Sequence, residues 1–357
     1  MSDVLISLVK IFVALGWFLV LTLYLTWVER KESAVLQDRV GANRASIFGL
    51  RIFGLFQPFA DAIKMIFKED FVPAFSNKVL HTLAPFVSFF FVAVTIVAMP
   101  FGDDIVLGGK TLSLQVFDPS VGLLYVLAML SLGIYGIILS GWASRNRFAL
   151  LGSVRGAAQL ISYEVALGLS LIGLIMVFPS LRMSEIVRFQ GGTLLGFLPR
   201  WGVFLQPLGF ALFFIAALAE TKRVPFDLPE GESEIIGFFA EYGGLKWGLF
   251  MMTDFMEIIV VSTLLVTLFF GGWQVPWLAG DGFHWPWGGH WELAKWLVIV
   301  LQVLAFQVKV VFFCWLQILI RWTYPRFRYD QLMDLGWKLL VPLGLLNILG
   351  TGLVMSL

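Results

Sequence analysis

Eight apolar stretches, at roughly 4–28, 79–100, 121–142, 156–178, 202–220, 247–271, 293–320 and 338–356, constrain what this 357-residue chain can fold into. Each is near the ~20 residues a helix needs to cross bilayer hydrocarbon, where every backbone N–H and C=O must be satisfied within the segment. The sequence therefore predicts an all-α polytopic membrane protein of about eight transmembrane helices, a single transmembrane domain over 1–357. Composition agrees, with 59% of residues hydrophobic and 14% charged, far more apolar than a soluble domain. The first stretch is too long for a signal-peptide core and has no small-residue cleavage site behind it, so it is read as a retained helix.

Lys and Arg are divided unequally between the two faces of this topology. Eighteen of the 25 lie on one face, including Arg30, Lys31, Lys64, Arg155, Lys222, Arg223, Arg321, Arg326 and Arg328, and six on the other. Positive charge accumulates on the cytoplasmic side of membrane proteins, so the richer face is the inner one and both termini face outward. Three polar segments follow: an inner loop over 29–78, an inner acidic loop over 220–246, and an outer loop over 272–292 carrying Trp273, Trp277, Trp285, Trp287 and Trp291. Indole rings suit a membrane interface. His284 and His290 in that outer loop have no third ligand near them in sequence and are read as ordinary surface histidines, so no metal site is expected. A net charge of +1 and the lack of a basic tract give no reason to expect nucleic acid. The single cysteine, Cys314, offers neither a disulfide framework nor a thiolate set for a cluster.

Near 58–69 the pattern changes from spanning to amphipathic. Phe59, Ala62, Ile63, Ile66 and Phe67 share one helical face, Asp61, Lys64 and Lys68 the other, and Pro58 suits the first turn. Such a helix lies along the inner interface, either as a surface anchor or with Asp61 and Lys64 edging a polar cavity.

Acids placed where lipid is expected are the strongest functional signal. Glu164 lies about nine residues into its apolar stretch, or ~14 Å at 1.5 Å per residue, near the bilayer midplane. A carboxylate there is costly, and its default reading is functional, facing the bundle interior. Asp254 and Glu257, spaced i, i+3, share a face. Glu220, Glu230, Glu232 and Glu234 crowd one loop, where mutual repulsion and low dielectric should lift some of the loop carboxyls well above free carboxylates and let them exchange protons near neutral pH. Glu241 precedes the sixth span. Lys309 is read as being near the inner third of the seventh span, as a counter-charge to one of these acids or as a side chain that snorkels to the interface. Glu29, Arg30, Lys31 and Glu32 close the first span, where a plain charged stop is the simplest reading.

Six stretches carry a family likeness: Trp27-Val28-Glu29-Arg30-Lys31, Gln57-Pro58-Phe59-Ala60-Asp61-Ala62, Gly141-Trp142-Ala143-Ser144, Ile161-Ser162-Tyr163-Glu164-Val165, Glu220-Thr221-Lys222-Arg223-Val224-Pro225-Phe226-Asp227-Leu228 through Glu234, and Tyr324-Pro325-Arg326-Phe327-Arg328-Tyr329-Asp330-Gln331. Over roughly residues 20–345 the chain resembles the junction membrane subunits of respiratory complex I, the H subunit of bacterial NADH:quinone oxidoreductase and mitochondrial subunit 1. The resemblance implies an eight-helix subunit of a proton-translocating NADH:quinone oxidoreductase that forms much of a quinone chamber and couples quinone reduction to proton pumping through buried carboxylates. It implies quinone as substrate, nothing covalently bound, and iron–sulfur clusters and FMN on partner subunits. Partners would be hydrophilic-arm subunits docking on the inner face, neighbouring membrane-arm subunits including antiporter-like ones, and lipid. The location implied is a bacterial cell inner membrane with both termini periplasmic. Residues carried over as quinone-binding are Glu29, Arg30, Asp61, Lys64, Arg223, Phe226 and Asp227, with Arg326 and Arg328 bracing the loops. Those carried over as proton-coupling are Glu164, Glu220, Glu230, Glu232, Glu234 and Asp254.

Two stretches depart from the family pattern. Where the sixth span usually has Glu, an aromatic and, two positions later, Asn, this chain reads Asp254-Phe255-Met256-Glu257; where Gly-Pro-Asn is usual it has Gly41-Ala42-Asn43. Proton relay through the sixth span is where these departures bear. Two other readings of the same acids are the membrane anchor of an energy-converting hydrogenase and a stand-alone proton-coupled transporter. Internal repeats would favour the transporter, and none is evident between the two halves.

Overall fold

The computed structural model describes residues 2–107, 110–194, 196–231, 234–235, 237–286 and 288–356, and within them long helices dominate. Helix α1 is Ser2–Leu36, α2 the amphipathic Gln57–Phe67, and α3 Lys78–Thr95. After a short hairpin of β1 (Ile105–Leu107) and β2 (Lys110–Leu112) come α4 (Gly122–Ser144), α5 (Arg147–Val177) and the short α6 (Met183–Phe189). A second hairpin, β3 (Thr193–Leu194) with β4 (Leu198–Pro199), leads to α7 (Gly202–Leu205) and α8 (Pro207–Glu220). Next are α9 (Gly244–Phe269), a ribbon of β5 (Leu278–Ala279), β6 (Gly282–His284) and β7 (His290–Glu292), and α10 (Lys295–Thr323). Helix α11 (Tyr329–Asp334) continues through a widened turn at Leu335–Leu340 into α12 (Val341–Ser356). The widened turn falls just before Pro342, which has no N–H to return to the carbonyl four residues back.

Seven of these segments are long and apolar enough to cross a membrane, and α8 is a shorter apolar helix. The predicted fifth span over 202–220 is broken: Gln206 leaves helical geometry and Pro207 starts α8 anew, because proline fits a first turn and not a helix interior. Helix α5 starts nine residues before the predicted 156, since Asn146 caps it by accepting from the Phe148 N–H at 2.9 Å and Arg147 and Arg155 are tolerated in its first turns. Glu164 is consequently the eighteenth residue of a 31-residue helix, still near its middle.

Small residues let the helices close on one another, as membrane helices require. A Cβ on Gly136 of α4 would lie 2.5 Å from the Ser88 Cβ of α3, and one on Gly141 only 2.1 Å from Ser153 Oγ of α5. Helix α9 is the hub: every residue from Thr253 to Phe269 is buried, with α1, α2, α3, α8 and α10 packed around it. Much of α1 is exposed by contrast, with Val4, Leu5, Leu8, Phe12 and Val13 facing outward, a surface suited to lipid.

Candidate functional site

The C-terminal half of α1, helix α2, the N-terminal part of α9 and the C-terminal end of α10 enclose a cavity of about 530 Å³. Leu19 and Leu23 of α1, Ile66 of α2, and Met251, Met252 and Phe255 of α9 supply its apolar walls. Polar groups gather at one end: Glu29 and Arg30 from α1, Asp61 from α2, Arg321 from α10. Arg30 Nη2 lies 2.7 Å from Asp61 Oδ2, and Gln57 donates to Asp61 Oδ1 at 3.1 Å. A second cavity, about 380 Å³ and more open, is lined by Lys64, Lys68, Phe239 and Tyr242 and shares Arg30, Asp61, Met65 and Trp247 with the first. The Arg30–Asp61 pair thus sits between an apolar chamber and a polar opening. Asp61 and Lys64 of α2 thus edge cavities, while Phe59, Ile63 and Phe67 on the same helix are exposed.

From this cavity a run of buried charges leads into the helix bundle. Glu29 accepts from Arg223 at 3.0 Å and also pairs with Arg321, 292 residues further along the chain than Glu29. The Arg223 guanidinium lies 4.0 Å from the centre of the Phe255 ring, a cation–π contact. One residue earlier, Lys222 Nζ reaches Glu257 at 2.9 Å and Asp254 at 3.3 Å, all three nearly sealed from solvent. Glu220, 4% exposed, lies in electrostatic range of Glu257, Lys222 and Glu164. Half-buried Glu164 accepts from Ser131 of α4. Like charges at this proximity repel unless cations or protons intervene, and among the described residues Lys222 and Arg223 are the cations inserted into the run.

The loop holding those cations is fixed from both sides. Gln159 of α5 donates its one amide group to the Ala219 carbonyl at 2.7 Å and the Phe226 carbonyl at 2.8 Å, tying the two ends of the turn together. Phe226 packs between the rings of Tyr163 and Phe327, at 5.8 and 5.5 Å, and the Tyr163 hydroxyl donates to the Leu332 carbonyl. Asp227 is bound by Arg326 at 2.6 Å. Burial pushes the Asp227 carboxyl up to about 6 against the opposing pull of Arg326 and Arg321. Glu230 is also held well above the usual carboxylate range, by burial first and then by the nearby charges of Asp254 and Asp227. Burial works against the Lys222 ammonium, but Glu257 and Asp254 outweigh it and keep the group cationic.

The sequence-predicted residues therefore fall into distinct places. Glu29, Arg30 and Asp61 line the apolar cavity and Lys64 the polar one. Arg223 stands behind Glu29, while Phe226, Asp227 and Arg326 hold the loop. Arg328 pairs with Asp330 at the exposed surface, away from both cavities. Glu164, Glu220, Glu230 and Asp254 belong to the charge run, and Glu234 pairs with Arg155 at 2.8 Å near the surface. Glu232 lies outside the described residues.

Three participants escaped the sequence reading. Lys222 is the counter-charge that the Asp254/Glu257 pair demanded, and Arg321 ends α10 beside Glu29. Glu32, 8% exposed with neither oxygen partnered among the described residues, is buried beside Glu29 rather than serving as a simple stop. Lys309 has no acid as its counter-charge among the described residues. It lies midway along α10 and donates to the Phe270, Gly272 and Gln274 carbonyls at 2.7–3.0 Å, over the Trp201 ring. A cation there meets the unsatisfied carbonyls that end α9. Cys314 is buried with its thiol directed to Ser262 Oγ at 3.3 Å, so this chain has no donor set for an iron–sulfur cluster.

Fold and site together define a polytopic membrane protein with an apolar chamber headed by ion pairs and continuous with buried acids. A family model described as NADH dehydrogenase matches residues 9–352. The chain is 46% identical to the NADH-quinone oxidoreductase H subunit of Thermomicrobium roseum, over 96% of this chain and 94% of that one. It is 45% identical to an H subunit of the same oxidoreductase from Geobacter metallireducens over 99% and 98%, and 41% identical to one from Cytophaga hutchinsonii over 94% and 92%. The chain belongs to the NADH dehydrogenase family, that of the H subunit of NADH-quinone oxidoreductase, and is thereby a subunit of an oxidoreductase complex.

Proposed function

We propose that the cavity between α1, α2, α9 and α10 receives the headgroup and first isoprenoid units of a quinone, and that the charge run behind it couples quinone reduction to proton pumping. A quinone has an apolar tail and two carbonyl acceptors, so it requires apolar walls ending in donors. The single observation that carries this reading is the chamber itself: Leu19, Leu23, Met251 and Met252 along its sides, Arg30 and Arg321 at its polar end. Reduction to quinol consumes two electrons, delivered by clusters on partner subunits, and two protons. Arg30 and Asp61, between chamber and polar opening, are positioned to orient a carbonyl and to pass protons from the inner surface. Negative charge appearing at the headgroup acts on Glu29, then through Arg223 on Asp254 and Glu257, and through Glu220 on Glu164. Each link is a change in which carboxyls hold protons.

Partner hydrophilic-arm subunits dock, on this reading, on the basic inner face, in a bacterial inner membrane with the termini periplasmic. The test is Arg30→Ala and Asp61→Ala in the assembled complex. Loss of a charge-assisted hydrogen bond worth about 1.5–3 kcal/mol lowers quinone reductase activity by roughly ten- to a hundredfold, while NADH oxidation by a water-soluble artificial acceptor stays intact. Unchanged quinone reduction with both variants assembled would refute the assignment.

A further inference from the structure

The outer loop 272–292 does supply a third ligand for its two histidines. Asp281 precedes β6 and turns back onto the strand pair, so that Asp281 Oδ1 lies 2.8 Å from His284 Nε2 and Asp281 Oδ2 lies 3.6 Å from His290 Nε2. His284 and His290 are direct cross-strand partners in the β6–β7 register, their rings 4.3 Å apart at 33°. One ligand atom from each of the three side chains falls within 4.8 Å of the others. We propose that Asp281, His284 and His290 form a binding site for a borderline divalent cation, with Zn2+ the best match.

The 2.8 Å contact serves as a hydrogen bond in the absence of metal, and the spacing of the three side chains also lies within reach of a shared cation. Nitrogen and oxygen ligands held 2.0–2.2 Å from a tetrahedral Zn2+ are about 3.3 Å from one another, and 2.8 and 3.6 Å bracket that value. The backbone is already fixed: Leu293 N donates to the Asp281 carbonyl at 3.0 Å, Trp285 N to the Gly289 carbonyl at 2.8 Å, and His284 N to the Trp277 carbonyl at 2.8 Å. Gly282, between the carboxylate and the histidine strand, adopts φ +143° with its backbone so close to Trp291 that a Cβ would meet the Trp291 carbonyl at 2.0 Å. That close approach is what brings Asp281 over the histidine pair. Two imidazoles and one carboxylate favour zinc-like ions over Ca2+ or Mg2+, which prefer all-oxygen shells. All three side chains are solvent-exposed, leaving the fourth position to water and the entry path open. A bound ion would staple β6 to β7 and stiffen the loop whose Trp285 stacks on Trp277 and Phe283.

The test uses the intact detergent-purified complex after chelator treatment, titrated with Zn2+ alone by calorimetry, with tryptophan fluorescence as a second readout. Wild-type complex should bind one Zn2+ more than complex carrying His284→Ala and His290→Ala together. Asp281→Ala should weaken that extra site by more than the about 10–100-fold typical of losing a supporting contact. Assembly and NADH oxidation of the variants, unchanged because the loop is remote from the chamber, separate loss of the site from loss of the fold. Equal Zn2+ stoichiometry in wild type and the double histidine variant would overturn the proposal.

Discussion

The loop between α8 and α9 and the loop between α9 and α10 carry similar charged groups in opposite surroundings. In the first, Lys222, Arg223 and Asp227 are each at most 7% exposed, whereas in the second the side chains of Asp281, His284 and His290 are 39–63% exposed. Burying a charge costs several kcal/mol unless partners repay it, so a chain that buries Lys222, Asp254 and Glu257 together holds them against a standing penalty. The groups of the second loop are solvated and interact weakly unless an ion brings them together. Burial, rather than the number of charges, separates a network that responds as a unit from one whose members act alone.

The sharpest way to break this contrast is Lys222→Met, which leaves Asp254 and Glu257 buried without their cation. Removing one partner of a buried group of this kind costs about 3–5 kcal/mol, visible as a lower melting temperature and reduced recovery of assembled complex. Adding Glu257→Gln should restore part of that loss by removing one of the stranded charges. Asp281→Asn in the outer loop should leave metal-free melting unchanged; an equal loss there would abolish the distinction.

A functional contrast comes next. Glu164→Gln keeps the acceptor for Ser131 but cannot carry charge, so proton pumping per NADH should fall while assembly and melting stay near wild type. Pumping measured in proteoliposomes that matches wild type would remove Glu164 from the coupling path.

The smallest expected effect is one of pH. Asp227 titrates at about 6 in the folded protein against about 3.9 when free. The folded state therefore binds more protons between those limits, and this group's contribution to stability falls as pH rises through that window. In Asp227→Asn the decline in melting temperature between about pH 4 and 6 should flatten. An unaltered slope would show that Asp227 does not carry it.

How much of this was legible in the sequence varies with the distance over which residues act. Apolar runs announced the helices, because spanning length is a local property, but the break at Pro207 that shortens α8 went unread inside one apolar run. The start of α5 was missed because Asn146, Arg147 and Arg155 look like loop residues until Asn146 is recognised as a cap. The acids at Glu164, Asp254 and Glu257 stood out because charge is rare in apolar runs. Their partners did not: Glu29 with Arg321, or Lys309 with the carbonyls ending α9, are pairings between distant segments that no spacing encodes. The third ligand beside His284 and His290 was hidden differently. Asp281 was only three residues away, and only the strand reversal at Gly282 turned it toward both rings.

The central claim is that the chamber between α1, α2, α9 and α10 holds quinone, and a photoreactive quinone analogue applied to the intact complex tests it most directly. Labelled peptides from this chain should map to Leu19–Arg30, Pro58–Ile66 or Leu245–Phe255, with labelling lost when excess native quinone competes. Competable labelling confined to other surfaces of this chain, or to other subunits alone, would contradict the account.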